Sequence, residues 1–219
     1  MKKAFYFFTL LLLLVSCVAK VSVVDSWRSE SFSLVKGKKV LVISRVKNEA
    51  IRKRSEGFIV KDLSALGVDA VSAFEKYPYL NVNINRTSEE SQEVKNEFLQ
   101  DQFDVVIVTS PKNKGNHDGT TRLTEQDRME NHATFTNYLE DPDHNKLNES
   151  PNRTPGPNGM EETTEHFSEV FEFVTKTYLI TPGQEQILAS ESIEIVDPEN
   201  VSKILESYSK KIAKQFKKN

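Results

Sequence analysis

The chain has one cysteine, Cys17, and its position makes it the first candidate for chemistry. A thiolate is a strong nucleophile and can accept a group that is transferred to sulfur. Cys17 follows Leu14, Val15 and Ser16 at the end of an apolar run. Because there is a single thiol, no disulfide can form within one chain. We therefore predict that Cys17 is a modification site and that the apolar core alone holds the fold together.

An amino-terminal leader precedes this cysteine. Lys2 and Lys3 give it a positive charge, and residues 4–15 are apolar apart from Thr9. Such a run is typical of a signal peptide, whereas a membrane-spanning helix needs ~20 apolar residues. Residues 1–16 are therefore predicted to be a removable signal peptide. Two alternatives are an ordinary signal peptide that is cut elsewhere and an anchor helix that is not cut.

The string Leu14-Val15-Ser16-Cys17 resembles the bacterial lipobox. In proteins with this motif the cysteine sulfur receives a diacylglycerol, the bond before it is cut, and the new amine is acylated with a fatty acid such as palmitate. The resemblance implies Cys17 as the lipid-attachment residue and Leu14, Val15 and Ser16 as the recognised residues before it. Two or three acyl chains hold a protein on a membrane almost irreversibly, since each buried CH₂ adds ~0.8 kcal/mol.

Charge and length limit the class of protein. The chain has 219 residues and a formal net charge of −3. The leader carries two lysines and no acidic residue, so its removal shifts the net charge to −5. A mildly acidic body lacks the basic surface that nucleic-acid binding requires, and we expect no nucleic-acid partner. The length suits one domain with an insertion.

The body after residue 36 alternates predicted strands and helices. Continuous aliphatic runs at 40–43 and 105–108 are typical of strands that are buried on both faces. Asn48 is a helix N-cap and Gly67 a carboxyl-terminal stop for the helix between them. The pattern predicts strands at 37–44, 68–74 and 103–110, a helix from Asn48 to about Leu66 with Ile51, Phe58, Ile59, Leu63 and Leu66 inward, and a helix capped by Ser88 with Val94, Phe98 and Leu99 inward.

The second half of the chain changes character. Residues 111–165 are polar and rich in Pro, Gly and Asn, which predicts a long, mobile excursion with one helix at 124–140. Two alternating strands follow, joined by a turn with Pro182 and Gly183 at its centre. The pattern predicts strands at 171–180 and 186–196, a bulge near Ser190, and a closing helix with Val201, Ile204, Leu205, Tyr208, Ile212 and Phe216 on its inner face.

These elements predict an α/β fold with a mixed sheet, of the α+β type. It consists of a β-α-β-α-β unit, a long polar excursion, an antiparallel β-hairpin and a carboxyl-terminal helix. The predicted organisation is a lipoprotein signal peptide at 1–16, a lipidated tether at 17–36, and a single domain at 37–219 with an insertion at 111–165. Trp27 and Phe32 are expected to dock from the tether onto this domain.

Polar residues that follow the strands could bind a small molecule. Open α/β sheets bind ligands at the carboxyl ends of their strands. Ser44 and Arg45 follow one predicted strand, and Thr109 and Ser110 end another. Ordinary loop polarity is the alternative explanation for all four.

Histidines and carboxylates are the remaining candidates for a site. They lie in or beside the excursion, but no pair has the spacing of a zinc helix. We therefore predict no metal, no cofactor and no catalytic residue, with a hydrolase that uses His132 or His144 as a less favoured alternative. The residues concerned are His117, Asp118, His132, Asp141, Asp143, His144 and His166.

The last predicted helix carries a basic surface. Its positive charge favours the carboxyl end of the helix dipole and is expected to face solvent. An alternative is contact with anionic lipid headgroups. The lysines are Lys203, Lys210, Lys211, Lys214, Lys217 and Lys218.

Short strings in this layout resemble small bacterial envelope lipoproteins of unassigned function. The strings are KKVLVIS, RKRSE, GVDAVSAF, FDVVIVTS and KTY, together with the leader. The body resembles the fold of the TolB amino-terminal domain, the curli-secretion lipoprotein and the activators of penicillin-binding proteins. The resemblance implies a non-enzymatic lipoprotein, held at the outer membrane and facing the periplasm.

Such a protein is expected to bind or assist an unidentified envelope protein. The excursion at 111–165 is the expected contact segment, because loops on a rigid scaffold often carry function. The alternative is a periplasmic lipoprotein that binds a small molecule or a metal.

Overall fold

The structure, a computed structural model, describes residues 20–112, 170–196 and 201–217, together with Phe135 and Leu139. The predicted signal peptide, the Leu14–Cys17 motif, the four histidines and most of the excursion lie outside these residues. Within the described ranges, no helix has the length and apolar character needed to cross a membrane.

A six-stranded mixed sheet is the centre of the fold. Its strand order is β1-β6-β5-β4-β2-β3. β2 is parallel to both β3 and β4, and the other neighbours are antiparallel. This arrangement confirms the predicted α+β class. The strands are β1 (Lys20–Arg28), β2 (Lys39–Ser44), β3 (Asp69–Ser72), β4 (Phe103–Lys112), β5 (Val170–Leu179) and β6 (Gln186–Val196).

The strands of the sheet begin and end along two opposite borders, which we name by the ends of the parallel strands. Strands β2, β3 and β4 all end at one edge, which we call the carboxyl edge, and the opposite end is the amino edge. Lys112 pairs with Glu172 and Lys20 pairs with Val196. Because these pairs are antiparallel, β1 and β5 begin at the carboxyl edge and β6 ends there.

In the ranges 20–112 and 201–217, four helices and one 3-10 helix pack around the sheet. Asn48 caps α1 through an oxygen that accepts the Ile51 backbone N–H at 3.1 Å, as predicted. Thr87, rather than Ser88, caps α3, and Glu90 completes a capping box with it. The helices are the 3-10 helix Glu30–Val35, α1 (Glu49–Ser64), α2 (Ala73–Lys76), α3 (Ser88–Gln100) and α4 (Val201–Phe216).

Each face of the sheet carries its own apolar core. On one face, α1 and α4 pack with Ile59, Leu63 and Ile212 against the strands. On the other face, Phe98 of α3 packs with Phe135 and Leu139. Leu139 falls within the helix predicted at 124–140, and it is helical and buried in the structure. Helices on both faces explain why β2 and β4 are aliphatic throughout.

The predicted tether at 17–36 is wrong for residues 20–35. Residues 20–28 form β1, which is the outermost strand on one side of the sheet and pairs with β6. Phe32 is fully buried, and its ring lies 5.2 Å from that of Phe216. Only one face of an outermost strand meets the core, and most residues on its other face are polar. For this reason the sequence pattern did not predict β1. Among the described residues, the sheet therefore already begins at Lys20, before the predicted start of the domain at residue 37.

Three smaller predictions also need correction. Val201 is exposed, because α4 contacts the core only from Ile204 onward. The bulge in β6 lies at Leu188 rather than near Ser190, since Thr177 pairs with Ala189 and the next residue of β5 pairs with Ile187. β3 ends at Ser72, where α2 begins.

The turn of the hairpin is as predicted. Gln184 N donates to Thr181 O at 3.0 Å, and Gly183 has a φ of 76°. A positive φ at the third residue is the mark of a type II turn, and glycine adopts it without strain.

Candidate functional site

The carboxyl edge brings the four predicted ligand residues together. Ser44 of β2 pairs with Thr109 of β4, and Arg45 N donates to Thr109 O at 2.8 Å. Ser110 follows on β4. All four side chains are buried. β3 lies on one side of β2, and β4 lies on the other side. The carboxyl ends of β2 and β4 therefore form the switch point at which open sheets have binding crevices.

A single carboxylate organises this edge. Glu56 of α1 is fully buried and accepts four hydrogen bonds. Its Oε1 accepts Ser44 N and Arg52 Nε, each at 3.0 Å. Its Oε2 accepts Ser72 Oγ at 2.7 Å and Phe74 N at 2.6 Å. We call these five residues the Glu56 cluster. It joins β2, α1 and the β3–α2 junction at one point.

Arg52 supplies the positive charge of this cluster. It lies one helical turn before Glu56, and the two form a buried ion pair. Its Nη1 donates to Leu80 O at 3.3 Å, and its guanidinium lies 5.4 Å from the centre of the Phe74 ring. In the part of the chain that the structure describes, its Nη2 has no hydrogen-bond partner. Arg52 therefore ties the loop after α2 to the sheet.

Arg45 holds the same loop from the other side. Its Nε donates to Val82 O at 3.0 Å, and the side chain is buried. The two arginines thus donate hydrogen bonds to carbonyl groups that are two residues apart, Leu80 O and Val82 O. Charged donors to carbonyl oxygens are strong hydrogen bonds, and here they fix a loop that has no regular structure of its own.

A second polar group lies beneath α4. Tyr208 Oη is 2.6 Å from Thr175 Oγ1 and also bonds with Thr109 Oγ1. Thr175 Oγ1 donates to Thr109 Oγ1 at 3.3 Å. Burial raises the pKa of Tyr208, so its phenol stays protonated. The phenol anchors the middle of α4 to β4 and β5.

Glu191 of β6 lies near this group and has an unusual charge state. Burial raises the pKa of its carboxyl to about 7, although Gln215, Lys211 and Lys214 act to lower it. Its Oε2 has no hydrogen-bond partner among the described residues. Glu191 also raises the pKa of Tyr208. A half-protonated buried carboxyl near neutral pH is the kind of perturbed group that functional sites contain.

Lys176 is the corresponding group on the other face of the sheet. It pairs with Val108 of β4 and Ser190 of β6 and is only 7% exposed. Burial lowers its pKa to about 8. Sequence reasoning missed both Lys176 and Glu191. The available signal was a charged residue at an inward position of an alternating strand.

Polar groups at the carboxyl edge make hydrogen bonds within the fold. Ser44 N donates to Glu56, Arg45 Nε donates to Val82 O, and the Thr109 hydroxyl bonds with the hydroxyl groups of Thr175 and Tyr208. In the described ranges, no group of three His, Cys, Asp or Glu side chains could hold a metal ion. Cys17 and the histidines considered above lie outside those ranges, so their predicted roles stay predictions.

Comparison with known proteins gives few matches. No family model matches the chain, and no curated protein matches it. Among solved structures, the dodecamer of PelC from Paraburkholderia phytofirmans has 10% sequence identity and a TM-score of 0.40, with 89% of this chain and 94% of that chain covered. A PelC variant in a second crystal form has the same identity and TM-score, with coverage of 88% and 95%. A likeness at this level supports no inference about function.

The Glu56 cluster predicts a large stability effect. Glu56→Gln leaves the Arg52 charge buried without its partner. It also places the side-chain NH2 group, a hydrogen-bond donor, opposite two other donors. We expect the free energy of unfolding to fall by about 3–5 kcal/mol in urea denaturation. Exposed Glu93 of α3 provides the matched control, and Glu93→Gln should change stability by less than ~0.5 kcal/mol. Equal effects of the two substitutions would show that the cluster does not hold this edge.

Glu191 predicts how stability depends on pH. Its folded pKa is about 7, against an ordinary value of 4.5, so the folded chain binds the proton more tightly than the unfolded chain. The free energy of unfolding therefore falls as pH rises through this window. Glu191→Gln should raise stability by roughly 1–3 kcal/mol near pH 8 and have little effect near pH 4. A pH-independent difference in urea denaturation would contradict this assignment.

Proposed function

We propose that the chain is a lipid-anchored, non-enzymatic protein of the bacterial cell envelope that binds another envelope component. Its attachment residue is Cys17, and its location is the outer membrane, facing the periplasm. The observation that carries the proposal is the Leu14-Val15-Ser16-Cys17 string at the end of a short apolar leader. The partner is an envelope protein, and neither nucleic acid nor a cofactor is involved.

The start of the folded domain supports this proposal. β1 begins at Lys20, three residues after Cys17, and is paired with β6 along its length. Residues 1–16 lie outside the described residues, and all six described strands begin after Cys17. A chain cut before Cys17 keeps the whole sheet.

The internal bonds of the carboxyl edge favour this function over ligand binding. A small molecule at Ser44, Arg45 and Thr109 would have to replace hydrogen bonds that these residues already make within the fold. Breaking buried bonds without replacing them costs about 1–3 kcal/mol for each polar group. The same residues are better explained as a rigid base for the insertion that leaves β4 at Lys112.

The insertion is the proposed contact segment for the envelope partner. It leaves the sheet after Lys112 and returns at Val170, both at the carboxyl edge. Phe135 and Leu139 within it are buried against Phe98 and its neighbours. Part of the insertion is therefore needed for the core, and the part after residue 140 is the better candidate for recognition.

Lipidation predicts a defined mass change. Protein from the membrane fraction should begin at Cys17 and carry two or three acyl chains in intact-mass measurement. Cys17→Ala should abolish the added mass and the cut, because only a thiolate accepts the diacylglycerol. An unmodified wild-type chain that is cut elsewhere would contradict the anchor.

Partner binding predicts the effect of a limited deletion. Removal of 141–165 leaves Phe135 and Leu139 in place, so the melting temperature should change little. Cross-linking in cells should then lose the partner that the full chain captures. Leu34→Ala, at the opposite edge, is the control that keeps the partner. Unchanged cross-linking by the deletion variant would exclude this segment as the contact.

A further inference from the structure

Four exposed apolar side chains lie at the carboxyl edge or between it and the middle of the sheet, and the core does not use them. Val23 is 39% exposed, Val24 49%, Phe171 46% and Val201 45%. We call these four residues the edge patch. They are four of the seven large apolar side chains that are exposed in the described part of the chain. Phe171 lies at the carboxyl edge, whereas Val23 and Val24 lie in the middle of β1. Exposed apolar side chains that lie together are typical of a contact surface.

Strand register puts two of the four patch residues, Val23 and Phe171, on one face. Phe171 and Val21 both pair with Ile195, and Val23 and Phe173 both neighbour Ile193 on the adjacent strands. Side chains of paired residues project from the same face of a sheet. Two apolar rows therefore lie side by side at the carboxyl edge.

The remaining two residues of the patch are Val24 and Val201. Val24 is the extra residue of a bulge that follows Val23. Val201 begins α4, which covers the same face from Ile204 onward. The start of the helix thus leaves the end of the face open.

The chain leading to the proposed anchor ends at the same edge. Only three residue steps separate Cys17 from Lys20, a distance of at most ~10 Å when extended. β1 has nine residues and is ~30 Å long, so its far end at Arg28 lies well away from this point. A lipid on Cys17 would hold the carboxyl edge at the membrane surface.

The basic part of α4 is at the opposite end of the molecule. Arg28 Nη1 donates to Gln215 O at 3.2 Å, and Phe216 packs on Phe32. The lysines near these contacts are therefore at the amino edge, about 20 Å along the helix from Val201. They are Lys210, Lys211, Lys214 and Lys217.

We propose that the edge patch contacts the lipid of the membrane that holds the Cys17 anchor, with its side chains at the boundary of headgroups and acyl chains. This inference rests on the proposed function, because it requires the acylated Cys17. The apolar patch, rather than the basic surface of α4, then sets the orientation of the domain on the membrane. Apolar side chains at this depth add to the hold of the acyl chains.

The test uses the full-length lipidated chain in vesicles of phosphatidylethanolamine and phosphatidylglycerol. Phe171→Cys and Val201→Cys are labelled with a thiol-reactive fluorophore, and lipids with a nitroxide on the acyl chain act as contact quenchers. We expect fluorescence to fall about twofold or more at both positions. Leu34→Cys is the matched control, since Leu34 is 44% exposed at the amino edge, and Lys214→Cys reports on the basic surface. Both should show little quenching.

The outcomes separate the two proposals. A lipidated Cys17 cannot react with the label, so labelling of the wild-type chain would overturn the proposed function. Unquenched labels at 171 and 201 in a chain whose Cys17 is blocked would overturn the membrane contact alone. Quenching at 214 but not at 171 would overturn it in favour of the basic surface. Labels at 171 and 201 that are shielded from both lipid and an aqueous quencher would mean that a protein covers the patch.

Discussion

The buried carboxylate of Glu56 is the interaction on which the carboxyl edge depends. A charge without water is tolerated only when hydrogen bonds and an opposite charge replace its hydration. Glu56 meets this condition with Arg52, two backbone N–H groups and one hydroxyl. Because the donors come from separate elements, the charge is satisfied only when β2, α1 and the β3–α2 junction adopt one arrangement. The cluster therefore contributes specificity of structure as well as stability.

Each face of the sheet contains buried polar or charged groups. On the face of α1 and α4, the Tyr208 group and Glu191 form a polar layer within an otherwise apolar core. Lys176 is on the other face, where Phe135 from the insertion packs on Tyr178 with ring centres 5.8 Å apart. Each face thus combines strong apolar packing with a buried group whose protonation is set by burial. The insertion leaves the described domain at the carboxyl edge, after Lys112, and the chain returns there at Val170.

Periodicity was sufficient to predict most elements but not their polar contacts. The aliphatic runs of β2 and β4, the Asn48 cap and the Pro182-Gly183 turn are local signals, and the structure confirms them. The inner face of α1 was predicted from its apolar residues, whereas Arg52, Ser55 and Glu56 are buried there in place of Ile51 and Phe58. Such burial depends on donors from distant strands, which a local pattern cannot reveal. β1 was missed for a related reason, since its partner β6 is more than 160 residues away in the chain.

The pairing of Lys112 with Glu172 has a consequence for how the molecule can vary. The insertion leaves and re-enters the sheet at adjacent positions. An ion pair of 3.1 Å between the Lys112 and Glu172 side chains joins the two ends of the loop. Loop-closure entropy grows slowly with length, by ~0.6 kcal/mol for each doubling. Residues beyond Leu139 can therefore lengthen, shorten or be exchanged while the six strands keep their register. The paired strands β4 and β5 thus close the base of the insertion, whatever its length.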